Sequence, residues 1–100
     1  MLWAITRVLA PNTDKAREAG LESHRNYLKS QKRILVLAGA QLSDDGAEQL
    51  GSLLIVNVNN RAEAQAFLDG DPFMKAGVFT GAKITRLRKG HWNPEAIEGA

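Results

Sequence analysis

The chain has no cysteine among its 100 residues. That excludes a disulfide framework, a thiolate metal site and a cysteine nucleophile. It has no apolar run of about 18 residues, so no segment reads as a membrane-spanning helix. Charge of one sign is also missing: 13 Lys+Arg stand against 11 Asp+Glu, a formal excess of +2. The pI near 9.2 is therefore no nucleic-acid footprint, which needs a basic patch or stripe. The start, Met1 to Arg7, lacks a basic stretch ahead of an apolar one and does not read as a signal peptide, so the expected location is the cytoplasm. No GxGxxG or GxxxxGK loop offers a nucleotide site, and no GxSxG elbow offers a serine nucleophile. What is present is ordinary globular material, 44% hydrophobic and 24% charged, enough for one domain near the lower end of self-sufficient sizes.

The apolar residues fall into alternating element types. Leu2 to Leu9 reads as a strand stopped by Pro11-Asn12-Thr13. A helix follows from about Asp14 to Ser30. Its stripe is Ala16, Leu21, His24 and Leu28, with Tyr27 beside it, at helical spacing. Arg33 to Ala40 is a second strand, and the polar segment Gln41 to Gly51 carries a turn at Ser43-Asp44-Asp45-Gly46. Ser52 to Val58 is a third strand, apolar on both faces. Asn60 caps a second helix from about Arg61 to Asp69, with Glu63 placed as a capping-box partner and Ala64, Phe67 and Leu68 inward. Pro72 to Ala76 makes one helical turn between Asp71 and Gly77. Val78 to Leu87 is the last strand. Residues 1–89 form the domain, and residues 90–100 are a tail around Trp92.

The order β-α-β-β-α-β predicts an α+β, ferredoxin-like fold, with an antiparallel four-stranded sheet and two helices on one face. Two helices cover one face only. A sheet with a wet second face alternates apolar and polar residues, yet strands two and three are aliphatic on both faces. Either the chain's own tail or a long loop, or a second copy of the chain, covers that face. The second option makes a homodimer through the sheet.

Two histidines are available, and neither has metal-pair spacing, so no metal is expected. His24 lies on the apolar stripe of the first helix. It is either a packed histidine bonded to a backbone carbonyl or a general acid/base. Asp71 is either the N-cap of the turn that follows or a carboxylate that fixes the imidazole tautomer. Arg7 and Thr6 on the first strand, and Ser43 and Asp44 on the loop after Gly39, are candidate cleft residues; a solvated position is the simpler reading for each. We take Arg7 and Ser43 as candidate substrate-binding residues. Lys83, Arg86, Arg88 and Lys89 read as a solvated edge that discourages strand-to-strand association. An RNA-recognition fold shares this element order but stacks bases on strand aromatics, and Leu53-Leu54-Ile55-Val56 has none. No nucleic-acid partner is expected, and haem binding through His24 has no further support.

The chain resembles the YciI-like (YCII-related) family over about residues 2 to 89. The resemblance is carried by His24 in Ser23-His24-Arg25-Asn26-Tyr27-Leu28, by Ile34 to Ala40, by Gly51 to Val56, by Arg61 to Phe67, and above all by Asp71-Pro72-Phe73-Met74-Lys75-Ala76-Gly77-Val78-Phe79. The ending Lys89 to Glu95 is similar to one branch of that family. The resemblance implies a dimeric α+β barrel, with subunits paired through their sheets. It also implies a proposed catalytic histidine and aspartate, matched here by His24 and Asp71. Related members include chloromuconolactone dehalogenases, and the wider fold holds muconolactone isomerases and cofactor-free monooxygenases. The sequence departs where many members read Ala-Gly-Pro, having Ala38-Gly39-Ala40. The expectation is a small-molecule enzyme using a His24/Asp71 acid–base pair without a cofactor, lactone isomerase or dehalogenase-like. The alternative is a non-catalytic dimeric module that binds a small ligand or another protein.

Overall fold

The computed structural model describes every residue, 1–100. Its elements are β1 (Leu2–Leu9), α1 (Asp14–Ser30), β2 (Leu35–Leu42), β3 (Gln49–Asn57), α2 (Arg61–Gly70), the single turn α3 (Pro72–Lys75) and β4 (Phe79–Leu87). A short 3-10 turn, Pro94–Ile97, follows. The strands form one antiparallel sheet in the order β2-β3-β1-β4. This is the ferredoxin-like arrangement that the element order predicts. No helix is long and apolar enough to cross a membrane.

Several boundaries differ from the sequence reading, most by one residue, and β2 also runs on to Leu42 rather than Ala40. The two strand starts that move by two residues or more reflect turn chemistry. β2 starts at Leu35 rather than Arg33, because Ile34 and Leu35 both donate their amides to the Gln31 carbonyl and prolong the turn after α1. β3 starts at Gln49 rather than Ser52. Within the loop, Ser43 and Glu48 pair through the backbone. Ser43 Oγ donates to Asp45 at 2.7 Å, and the Glu48 amide donates to Ser43 Oγ at 3.0 Å. Gly46 supplies the positive φ, +74°. Both strands thus extend into the polar segment, and the loop shrinks to residues 43–48.

The core sits between the sheet and the helices. Trp3, Ile5, Leu54, Val56 and Val58 point inward from the strands, against Ala64, Phe67 and Leu68 of α2. The pairs Trp3–Val56 and Ile5–Leu54 are directly opposed, which puts them on one face of the pleat. Burial of each such large side chain stabilises by roughly 1.5–3 kcal/mol. A smaller cluster, Phe73, Val78 and Phe79, anchors α3 at the β4 end of the sheet. α2 is capped as its sequence predicts: Asn60 accepts the Glu63 amide at 2.9 Å. Glu63 in turn accepts the amide of Asn59, one residue ahead of the cap.

α1 behaves differently. None of its residues is fully buried, and its closest packing is against α3. Its apolar stripe closes only in part, with Ala16, Tyr27 and Leu28 packed against the buried clusters. Leu21, His24 and Leu28 also line a cavity with Ala38, Gly39 and Ala40 of β2 and Ser52 and Leu54 of β3. The small β2 residues leave that space open.

The opposite face of the sheet carries Leu2, Ala4, Leu53 and Ile55, all half-buried, with Val8 and Leu37 exposed. Residues Lys89 to Trp92 border one end of it, around a depression of about 1120 Å³ shared with Leu2, Val36 and Ile55. Trp92 itself is 57% exposed, so the tail does not bury the face.

Candidate active site

The site is built around one carboxylate. Asp71 lies where α2 ends and α3 begins, and its Oδ1 accepts the amide of Phe73 at 3.0 Å. Pro72 follows at the first position of α3, where a missing N–H costs nothing. The N-cap reading of Asp71 is therefore correct, and it is incomplete. The same oxygen faces His24 Nδ1 at 2.8 Å. The other oxygen, Oδ2, accepts from Arg7 Nη1 at 2.7 Å. Capping points the carboxylate into the gap between α1 and the sheet, and three elements then converge on it.

Arg7 is the unusual partner. It projects from β1 to the inner face and is 2% exposed. Its Nε donates to Ser52 Oγ, opposite it on β3, at 2.8 Å. Its guanidinium lies 4.0 Å from the centroid of the Phe79 ring. The β1–β4 register shifts between Thr6 and Val8, and Gly81, at φ +56° on β4, takes the left-handed conformation that a bulge of this kind uses. The bulge sits beside Arg7 and bends the strand edge around it. Burial draws the guanidinium below its ordinary pKa, and the Asp71 carboxylate pulls it back. An arginine still remains a cation under those opposing effects.

Burial also pushes the Asp71 carboxyl upward. The hydrogen bonds from His24, the Phe73 amide and Arg7 outweigh that effect and hold it below the usual carboxylate value. Asp71 is thus an anion at neutral pH, and an anion only accepts. Nδ1 of His24 must then carry the proton. That leaves Nε2 as the basic nitrogen of the neutral ring. The ring is fixed from a second side by Phe73, stacked at 4.1 Å with planes 13° apart. His24 lies at the wall of the cavity, whose volume is about 460 Å³.

Three of the four candidate residues therefore meet: His24, Asp71 and Arg7. The fourth, Ser43, does not reach the cavity, because its hydroxyl is engaged within the β2–β3 turn. Asp44 lies in the same exposed turn. Sequence reasoning missed Ser52, Phe73 and Phe79 as parts of the site. Phe73 and Phe79 stand within the quoted motif around Asp71, but their aromatic character reads equally as core. Ser52 offered one signal, a polar residue on the inward register of an otherwise aliphatic strand. No group of three or more His, Cys, Asp or Glu side chains is arranged to hold a metal.

Comparison with known proteins places the chain in a family. No curated protein matches the chain. Among solved structures, a 5-chloro-2-hydroxyhydroquinone dehydrochlorinase from Burkholderia phenoliruptrix, in complex with 2,5-dihydroxybenzoquinone, is similar at 30% identity and TM-score 0.79. The match covers 90% of this chain and 96% of that one. A protein from Agrobacterium tumefaciens shares the fold at 18% identity and TM-score 0.53, over 94% of this chain and 98% of that one. Residues 1–88 match the profile of the YCII-related domain, and the chain belongs to that family.

Proposed function

We propose that this protein is a small-molecule enzyme whose reaction turns on proton transfer at His24, an isomerisation or a dehydrochlorination-type elimination. The observation that carries the proposal is the 2.8 Å contact of His24 Nδ1 with Asp71, beside a cavity that His24 lines. In an elimination, Nε2 takes a proton from the substrate. The electron pair left behind forms the new π bond, and chloride departs with the electrons of the carbon–chlorine bond. The net loss is HCl. In an isomerisation the same nitrogen returns the proton at another carbon. Asp71 orients the ring and stabilises the imidazolium that forms, and Arg7 holds Asp71. The dehydrochlorinase relative supports the elimination, and positioned acid–base groups contribute roughly 10²–10⁴-fold.

The test is chloride release from 5-chloro-2-hydroxyhydroquinone, with a panel of chlorinated lactones beside it. Wild type turns over at least one member, and His24→Gln lowers the rate by about 10²–10⁴-fold while the protein stays folded. Equal rates in wild type and His24→Gln refute the role of His24. No chloride release from any member, with no isomerised lactone in the products, refutes the reaction class.

The working unit in this reading is a homodimer through the open sheet face. Leu2, Leu53 and Ile55 there are only half-buried and Leu37 is exposed, and an apolar sheet face of this kind marks an interaction surface. A symmetric pairing uses the same patch twice. Sedimentation equilibrium of wild type should give a dimer, and Leu53→Glu a monomer. A wild-type monomer at micromolar concentration refutes this pairing.

A further inference from the structure

The cavity has a charge signature that the acid–base reading does not use. Every titratable side chain that lines it is an arginine or a histidine: Arg7, Arg17, Arg25 and His24. No aspartate or glutamate lines it. Asp71 sits behind His24, and its charge is matched by Arg7 at 2.7 Å. Arg17 reaches from α1 to Gln49 of β3 at 2.8 Å. It also pairs with Asp14, whose side chain is 89% exposed, so that pairing is weakened by solvent. Arg25 takes part in none of the chain's three ion pairs. Arg17, Leu21 and Arg25 recur every four residues and so share one edge of α1. Leu21, Leu28 and Phe73 supply apolar wall between and beneath the charges.

A cleft lined by one sign of charge with low-dielectric walls concentrates ions of the other sign. We propose that the cavity selects an anion, a ring-sized molecule bearing a carboxylate or an ionised enol or phenol. Arg25 seats the charged oxygens, and Arg17, braced by Gln49, adds to the field. This deepens the proposed function and rests on it only for calling the ligand a substrate. It also fits the chemistry. When a neutral base removes a proton from the substrate, negative charge develops on the substrate, and fixed cations at that place lower the barrier. Planar guanidinium matches a carboxylate in two parallel hydrogen bonds, so arginine serves this role better than lysine.

The probes are benzoate and benzamide, which have nearly the same shape and differ in charge. Each is titrated into the full-length protein, with the His24 and Phe73 ring resonances as the readout. Benzoate should bind at least about tenfold more tightly than benzamide, a difference of about 1.4 kcal/mol. Arg25→Gln should abolish the preference, and Arg17→Gln should reduce it less. Raising ionic strength from about 0.01 M to 0.15 M, which shortens the screening length from about 30 to 8 Å, should weaken benzoate and leave benzamide unchanged. Equal affinities, benzoate binding unaltered in Arg25→Gln, or no response of the His24 and Phe73 rings to benzoate overturns the proposal. His24→Gln separates the two readings. Turnover lost in His24→Gln reports the acid–base role, and the benzoate-over-benzamide preference lost in Arg25→Gln reports anion selection, so either can fail while the other stands.

Discussion

Replacing Arg7 by methionine tests what holds the carboxylate at the centre of the site. The side chains of Arg7 and Asp71 are 1% and 2% exposed. Methionine keeps much of the aliphatic volume but removes the cation and both hydrogen bonds, to Asp71 and to Ser52. Removing one partner of a buried ion pair typically costs about 3–5 kcal/mol, because the other charge is left uncompensated. Asp71 still has the Phe73 amide and His24 on its other oxygen, so the lower end, about 3 kcal/mol, is expected. That is a large share of the roughly 5–15 kcal/mol available to a domain. With a urea slope of about 1–1.5 kcal/mol per molar for a chain of this size, the unfolding midpoint should fall by about 2–3 M. Urea titrations followed by tryptophan fluorescence and circular dichroism measure it. The double variant Arg7→Met/Asp71→Asn removes the stranded charge, and its loss should be smaller than the sum of the single losses by at least about 1 kcal/mol. A single-variant loss under about 1 kcal/mol, or an additive cycle, would refute the claim that this ion pair fixes Asp71.

Two further outcomes follow from the same geometry. Asp71 is held below the ordinary carboxylate value. Its contribution to stability is therefore full above the unfolded value of about 3.9 and is lost as pH falls from there toward the folded value. Urea midpoints between pH 6 and pH 2 should drop more steeply for wild type than for Asp71→Asn, and parallel curves would contradict the assignment. A Cβ at Gly51 would collide with the carbonyl oxygen of Arg7 across the β1–β3 ladder. Gly51→Ala should cost roughly 1–3 kcal/mol and loosen Arg7, and a melting temperature equal to that of wild type would show that the strands can part there without penalty.

The local signals were legible because they act over a few residues. Strand and helix periods, the Asn60 cap and the Asp71-Pro72 start of α3 each depend on neighbours in sequence. They set the element order, and the order restricts the topology to a sheet with helices on one face. The double-sided apolar pattern of Leu53 to Val56 also marked the second face, where Leu53 and Ile55 are half-buried. His24 and Asp71 were legible as types of residue, because an imidazole on an apolar stripe and a carboxylate at a cap each stand out.

Tertiary structure alone decided which of these meet. His24 and Asp71 are 47 positions apart, and Arg7 and Asp71 are 64 apart. No periodicity spans such separations; contact across them depends on how the helices sit on the sheet. The sequence treated Arg7 as a cleft residue and Ser43 as its counterpart. Packing turned Arg7 inward, onto Ser52, Phe79 and Asp71 at the wall of the cavity, and kept Ser43 in its own turn. It also held α1 away from Ala38, Gly39 and Ala40, so part of a stripe that reads as core became the wall of a cavity. The residue types on that stripe came from the sequence, and which of them border the cavity came from how α1 packs on α3, where His24 stacks on Phe73.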